Sequence, residues 1–325
     1  MKNKILVTGG TGMCGNAIKR TLEEIGNKNE FIFIGRKDCD LTNTDRVREL
    51  FHKVKPNKVI HMAARVGGVK ANTDFVADFY NENILMNTNV LMVAHENNVQ
   101  NLVSLSSTCI YPDEKYISYP LKESMLHLGP PHESNFGYAY AKRMLDVQSR
   151  AFRQQYGRNY VIAIPNNLYG IKDNFDLESG HVIPAIIRKV YEAKNDISKV
   201  PLTFWGNGKS LREFTYVDDI AKSLLKMVGE YGVDEVYSNE NPINIGSSEE
   251  ISIKGLVDLV VKIFDYKGPI VWDESKPNGQ YRKNSLKNNI ISLDYTPLEI
   301  GLTITCRWFS QNYPNLRGVV KNNGK

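Results

Sequence analysis

Short apolar runs alternate with longer amphipathic stretches through the first two thirds of the chain. Ile5-Leu6-Val7, Phe31 to Ile34, Lys58 to His61, Leu102 to Leu105 and Tyr160 to Ile164 each predict a buried strand. Between them, Met13 to Ile25, Asp45 to Val54 (capped from Asn43), Asp74 to Glu96 and Tyr138 to Tyr156 predict helices. Strand–helix alternation of this kind implies parallel βαβ units, so the expected class is α/β, a Rossmann-type doubly wound parallel sheet. After about Pro165 the rhythm loosens. Gly170 to Gly180 reads as a loop, His181 to Ala193, Asp218 to Glu230 and Ile253 to Phe264 as helices, and Leu202 to Trp205, Arg212 to Tyr216 and Ile270 to Trp272 as short strands. Residues 1–165 are therefore expected to form the first unit. Residues 166–325 are expected to form a smaller C-terminal α/β substrate-binding region, with some return of the chain to the sheet.

Composition narrows the partners. A chain of 325 residues with 42% hydrophobic and 24% charged content is ordinary for a soluble globular protein. Its formal charge of 41 − 36 = +5 carries no long basic run, which suits a small anion better than a polyanion. Neither a basic stripe nor an aromatic platform is visible, so no nucleic-acid partner is expected. Cys14, Cys39, Cys109 and Cys306 show no CxxC or His-containing spacing, so they read as reduced thiols without a metal. The first hydrophobic run is too short for a signal peptide, and no apolar stretch approaches the ~20 residues of a membrane span. These features predict a cytoplasmic protein without a membrane partner.

Two motifs carry chemistry. Gly9-Gly10-Thr11-Gly12-Met13-Cys14-Gly15 follows the first strand and opens the first helix, with glycines 9, 12 and 15 in GxxGxxG spacing. Such a loop permits a tight turn and close backbone approach to a pyrophosphate at a helix N-terminus. At the tip of the second strand, Arg36 and Lys37 stand where an acidic residue would bind a ribose diol. A cation there fits a 2′-phosphate and favours NADP over NAD, unless Arg36 is simply solvated. Asp40-Leu41 would sit beside the adenine. The second motif is Ser106-Ser107-Thr108-Cys109, with Tyr138 and Lys142 further on. Four residues apart on a helix, the phenol and the ammonium share one face, and a cation beside a phenol stabilises its phenolate. A hydroxyl-rich strand end could hold a substrate oxygen. The cysteine is surplus to simple carbonyl reduction.

With Ala63-Ala64 after the third strand, these motifs resemble the extended short-chain dehydrogenase/reductase superfamily. Ala63-Ala64-Arg65-Val66-Gly67-Gly68, Ser107-Thr108-Cys109-Ile110-Tyr111-Pro112, Asp173-Asn174-Phe175, His181-Val182-Ile183-Pro184 and Trp205-Gly206 narrow the likeness. Together they resemble the GDP-L-fucose synthase family, whose members are 3,5-epimerase/4-reductases of a GDP-4-keto-6-deoxy sugar. The resemblance implies NADPH as cofactor and a GDP-linked 4-keto sugar as substrate. It implies Tyr138 as proton donor to the C4 oxygen, Lys142 as the residue lowering its pKa, and Ser107 as the hydroxyl orienting the ketone. Cys109 and His181 match the pair assigned to epimerisation. The cofactor site would also take in Ala63, Ala64, Leu105, Ser106, Lys142, Pro165, Asn167, Leu168 and His181. Thr108, Asn167, Lys189, Trp205, Arg212, Asn278 and Lys283 would face the substrate, and the long helices would pair into a homodimer's four-helix bundle.

Elementary chemistry agrees with that assignment. A C4 ketone acidifies the protons at C3 and C5 because the carbanion is an enolate, and inversion needs one group to remove a proton and another to return it from the opposite face. Cys and His have ordinary pKa values, about 8.5 and 6.5, suited to this. The bland readings are core packing for Cys14, Cys39 and Cys306, packing for Tyr140, and an ion pair of Arg212 with Asp218 or Asp219. Three departures bear on the substrate: Lys276-Pro277-Asn278-Gly279 where the family has Asp at the third place, Ile171-Lys172 where it has Pro-His, and Pro165-Asn166-Asn167 where it has Pro-Thr-Asn. Asn278 donates as well as accepts, and so can tolerate a different group. The rival readings are a GDP-4-keto-heptose C4-reductase of a surface-polysaccharide pathway, without epimerase activity, and a non-catalytic NADP-binding regulatory protein.

Overall fold

The computed structural model describes residues 3–26, 29–195, 200–229, 242–276, 280–287, 290–291 and 293–319. Glu230 and Asn278 lie outside them. Six parallel strands form the main sheet: β1 (Lys4–Thr8), β2 (Glu30–Ile34), β3 (Lys58–His61), β4 (Asn101–Leu105), β5 (Asn159–Pro165) and β9 (Ile243–Ile245). Their order is β2-β1-β3-β4-β5-β9. The strands read as continuous apolar runs because both faces are covered. Ile5 and Val7 pack into one core with Ala17 and Ile18 of α1 (Met13–Ile25) and Ile220 and Leu224 of α7 (Val217–Met227). Leu6, between them, points the other way. It joins Val47 and Phe51 of α2 (Thr44–Val54), Val90 and Leu91 of α4 (Val76–Glu96) and Leu145 of α5 (Phe136–Tyr156). As expected, the Asn43 side chain caps α2, accepting from the Arg46 N–H.

The long helix expected over Asp74–Glu96 is α4 (Val76–Glu96), and a short helix that the pattern did not show precedes it. That short helix, α3 (Val69–Asp74), ends at Phe75, whose backbone (φ −125°, ψ 41°) departs from the helix before α4 begins. The break sets the Phe75 and Phe79 rings against the Arg65 guanidinium, 5.7 and 5.1 Å from its carbon. That guanidinium also pairs with Asp78 and Glu82.

A second layer system holds β6 (Asn167–Tyr169), β8 (Leu211–Tyr216), β10 (Glu250–Ser252) and β12 (Arg282–Lys283), with β8 pairing all three others. Separately, β7 (Leu202–Trp205) pairs β11 (Ile270–Asp273). Their shared core takes Phe175, Phe204 and Phe214, Ile183 and Ile187 of α6 (Val182–Asn195), Leu256 and Val260 of α8 (Ile253–Phe264), and Leu302 and Phe309 of α9 (Leu298–Asn312). The crossing of the chain is explicit: α7 and β9 lie beyond residue 166 in sequence yet complete the first sheet and one of its helical layers. No helix among the described residues is long and apolar enough to cross a membrane.

Candidate active site

The glycine turn between β1 and α1 is built so that almost nothing larger fits. A Cβ on Gly15 would lie 2.5 Å from the Gly10 backbone, and one on Gly10 would lie 2.7 Å from Phe33 Cβ. The turn opens α1 at Gly12, with no side-chain cap and no acidic residue in the first turn. Gly10 and Gly12 donate their N–H groups to the Ile34 and Gly9 carbonyls, so it is the first turn of α1 and the positive end of its dipole that face an anion, which fits a dinucleotide pyrophosphate. Arg36, just past β2, is 80% exposed at its side chain and pairs with Glu82 at 3.8 Å. Asp40 instead holds a turn, accepting from the Thr42 N–H and hydroxyl, while the Leu41 side chain packs into the sheet core. Leu168 likewise packs against core. Asp40 itself is exposed, whereas Leu41 is buried and Leu168 half-buried.

The carboxyl end of β4 carries the reactive groups. Lys142, from α5, is buried, and its ammonium donates to the Leu105 carbonyl at 2.8 Å. Ser107 turns the chain into a short 3-10 helix, Thr108–Ile110, its hydroxyl accepting from the Cys109 N–H. Tyr138 meets Phe79 edge-on, with ring centroids 6.4 Å apart. Burial brings Lys142 down to about 8. Burial also pushes the Tyr138 phenol well above its ordinary value, and charge on Cys109 or Cys14 adds to this. The expectation was that Lys142 lowers the phenol; in the ligand-free fold burial sets the direction of the shift instead. The phenol therefore rests protonated, with a proton to give.

Cys109 and His181 rest in complementary states. Burial raises the thiol, opposed chiefly by the Lys283 ammonium and the Ser107 hydroxyl. His181 precedes α6 with its surface open. Even so, enough protein surrounds the ring that burial, and after it the Arg317 charge, holds it below the ordinary imidazole value. At neutral pH one group has a proton to give and the other a lone pair to take one.

Arg212 and Lys283 are directly opposite each other on the paired strands β8 and β12. Like charges in register cost stability, which an anionic ligand would offset. Arg212 does not form the ion pair considered from sequence: its guanidinium donates to the Leu211 and Gln280 carbonyls, whereas Asp218 pairs with Arg20 and Asp219 accepts from Thr296. Lys283 acts electrostatically on Cys109, tying this cationic pair to the β4 end. Trp205 is 68% exposed, and Lys189 lies on α6 with its ammonium 5.5 Å from the Phe204 ring. Asn167 donates to the Glu213 carbonyl. Tyr140 packs under the Arg143 guanidinium, as expected.

Sequence reasoning missed Asp113 and Glu114, whose charges oppose the depression of Lys283, and it quoted Asp173 only as part of a motif, without a role. That carboxyl is 5% exposed, has one oxygen without a partner, and is pushed by burial to about 7, against the Asn174 N–H and Arg317. Its charge contributes in turn to raising Cys14, in the glycine loop, to about 12.

The fold and this residue set define a dinucleotide-dependent enzyme acting on a carbonyl. The sequence model of the NAD dependent epimerase/dehydratase family matches residues 5–246. A GDP-L-fucose synthase of Dictyostelium discoideum is 41% identical over 97% of this chain and 98% of its own. The crystal structure of a GDP-L-fucose synthetase from Naegleria fowleri bound to NADP superposes with a TM-score of 0.89 at 38% identity, covering 97% of this chain and 95% of that one. A GDP-6-OMe-4-keto-L-xylo-heptose reductase from C. jejuni reaches 0.85 at 27% identity, covering 96% and 98%. The chain belongs to the NAD dependent epimerase/dehydratase family and, within it, to the GDP-L-fucose synthases.

The Asp173 carboxyl yields a prediction. Its folded-state pKa is raised, so the stability it contributes is intact below about pH 4 and lost as pH rises through about 7. Asp173→Asn mimics the protonated form. Its stability relative to wild type should rise by about 2–4 kcal/mol between pH 4 and pH 8 in denaturant melts. A difference that does not change with pH would contradict the assignment.

Proposed function

We propose that this protein is a cytoplasmic, NADP-dependent enzyme that inverts C3 and C5 of a GDP-4-keto-6-deoxy-hexose and then reduces its C4 ketone. The observation that carries this reading is the convergence of Tyr138, Lys142 and Cys109 at the end of β4, where charge on Cys109 acts on both of the others. Residues 1–165 serve chiefly the cofactor and 166–325 chiefly the sugar nucleotide. Arg212 and Lys283 hold the diphosphate, and the exposed Trp205 ring offers a stacking face to the base.

In the first stage, one member of the Cys109–His181 pair removes the proton from C3 and the other returns a proton to the opposite face. Proton exchange with solvent restores both groups to their starting states, and the same exchange then follows at C5. The Ser107 hydroxyl, hydrogen-bonded to the ketone oxygen, stabilises the enolate in both. Bound NADPH supplies the hydride for C4. Tyr138 gives its proton to the oxygen as the alkoxide forms, and the Lys142 ammonium, held on the Leu105 carbonyl, stabilises the phenolate left behind. Both stages draw on the same polarised carbonyl, so one pocket suffices.

Tyr138→Phe should lower NADPH oxidation by at least about 100-fold while NADPH binding survives; near-normal turnover would sink its role as acid. Cys109→Ser should stop deuterium uptake at C3 and C5 from D₂O yet spare measurable C4 reduction. Unchanged uptake would remove Cys109 from the first stage.

A heptose C4-reductase is the second reading, favoured by the similarity to the C. jejuni enzyme, but at 27% identity against 38–41% for the fucose synthases and synthetase. The reading also includes a homodimer. Tyr80 and Leu85 on α4 and Phe136 and Val147 on α5 are exposed apolar side chains on two helices packed together, as a four-helix bundle between subunits would require. Sedimentation as a dimer at micromolar concentration is expected, and a monomer would contradict it.

A further inference from the structure

Lys172 stands out among the cations of the cleft. It belongs to the Ile171-Lys172 departure noted above and has no place in the chemistry described so far. The loop after β6 turns tightly, the Asp173 N–H bonding back to the Gly170 carbonyl at 3.3 Å. Lys172 takes a left-handed backbone, φ 66°, which a side-chain-bearing residue adopts only when its surroundings impose it. The turn sends the two neighbouring side chains apart: Asp173 is buried, whereas Lys172 is exposed and crosses to α1. There its ammonium donates to Asn16 Oδ1 at 2.9 Å.

Asn16 is itself oriented by the phosphate loop. Its amide nitrogen donates to the Thr11 carbonyl at 3.0 Å and the Gly12 carbonyl at 2.8 Å, leaving Oδ1 as the acceptor that faces Lys172. The ammonium therefore rests at the rim of the glycine turn, one side chain removed from the uncapped N-terminus of α1. Among the described residues no carboxylate lies within ion-pair distance of it, and the first turn of α1 contains no acid. A full positive charge is thus held, with only a neutral partner, beside the positive end of a helix dipole. That arrangement is unfavourable until an anion arrives. A lysine is well suited to meet one, because its compact charge on a flexible stem can leave an amide oxygen for a phosphate by a change of rotamer.

We propose that Lys172 is a second cation for the dinucleotide pyrophosphate, brought over the glycine turn by the loop after β6. The assignment rests on the NADP reading given above and adds a residue to it. It divides the cofactor's charges between two cations: Arg36 at the tip of β2 meets the 2′-phosphate, and Lys172 the bridge shared by NADPH and NADH. Because the same loop continues to His181, cofactor binding would also hold the segment that carries the imidazole.

Equilibrium titration of NADPH, NADH and 2′-AMP against wild type, Lys172→Ala, Lys172→Arg and Arg36→Ala tests this. Lys172→Ala should weaken both dinucleotides by the same factor, about 5–20-fold, leave 2′-AMP binding unchanged, and keep the ligand-free melting temperature. Lys172→Arg should recover most of the loss, and Arg36→Ala should weaken NADPH and 2′-AMP but not NADH. Unaltered dinucleotide binding by Lys172→Ala would overturn the proposal, as would a loss confined to NADPH, which would place Lys172 at the 2′-phosphate. If wild type binds neither dinucleotide, the cofactor reading itself fails and this assignment falls with it.

Discussion

A buried ammonium organises this active site. Lys142 is almost wholly out of water, and its Leu105 partner is a neutral carbonyl rather than a carboxylate. Burying a charge this way is costly, and the cost is what draws its pKa down to about 8. The site tolerates it because the elements around the lysine are themselves fixed. Asn87 of α4 donates to the Ala141 carbonyl of α5, so its Oδ1 must accept; His61 at the end of β3 supplies the N–H, and its other nitrogen accepts from Thr8 at the end of β1. The Thr8 hydroxyl oxygen accepts in turn from the Met62 and Ala63 N–H groups. One directional chain thus runs from the strand that enters the glycine turn to the helix that carries Tyr138 and Lys142. Burial holds His61 neutral, at about 3, so the chain does not switch direction in the physiological range.

From that fixed frame the division of labour follows. The parallel sheet presents the cofactor turn and the Ser107–Cys109 turn at the carboxyl ends of its strands, where open α/β sheets bind ligands. The second layer system contributes what a sheet edge cannot: two cations in register on β8 and β12, and the loop that brings His181 and Lys172 across. The repulsion between Arg212 and Lys283 and the desolvation of Tyr138 are local costs of the kind expected where groups are arranged for a ligand rather than for stability.

Much of the fold was legible because parallel strands buried on both faces read as plain apolar runs. Helix Ile253–Phe264 and strand Leu202–Trp205 fall where the pattern puts them. What escaped was long-range or short. β12 is two cationic residues with no strand signature, and β9 is three residues whose partner, β5, lies some eighty positions earlier. α9 carries Leu298, Leu302 and Phe309 at helical spacing, but Gly301 and the β-branched residues around it weaken the signal. In the site, charge on Cys109 acts on Tyr138 and Lys142, and the Lys142 ammonium reaches the Leu105 carbonyl. The sign of the Tyr138 shift was missed because a residue four positions away is visible in a sequence, while desolvation by the whole fold is not. Asp113 and Glu114, and the burial of Asp173, escaped for the same reason.

In the proposed function, one carbonyl serves two reactions in one pocket. Wild-type protein incubated with NADPH and GDP-4-keto-6-deoxy-D-mannose in D₂O, with the product examined by NMR and mass spectrometry, tests it most directly. The expected product is a C4 alcohol with solvent deuterium at both C3 and C5 and protium delivered to C4. A C4 alcohol free of deuterium at both flanking carbons would contradict it and leave a plain reductase.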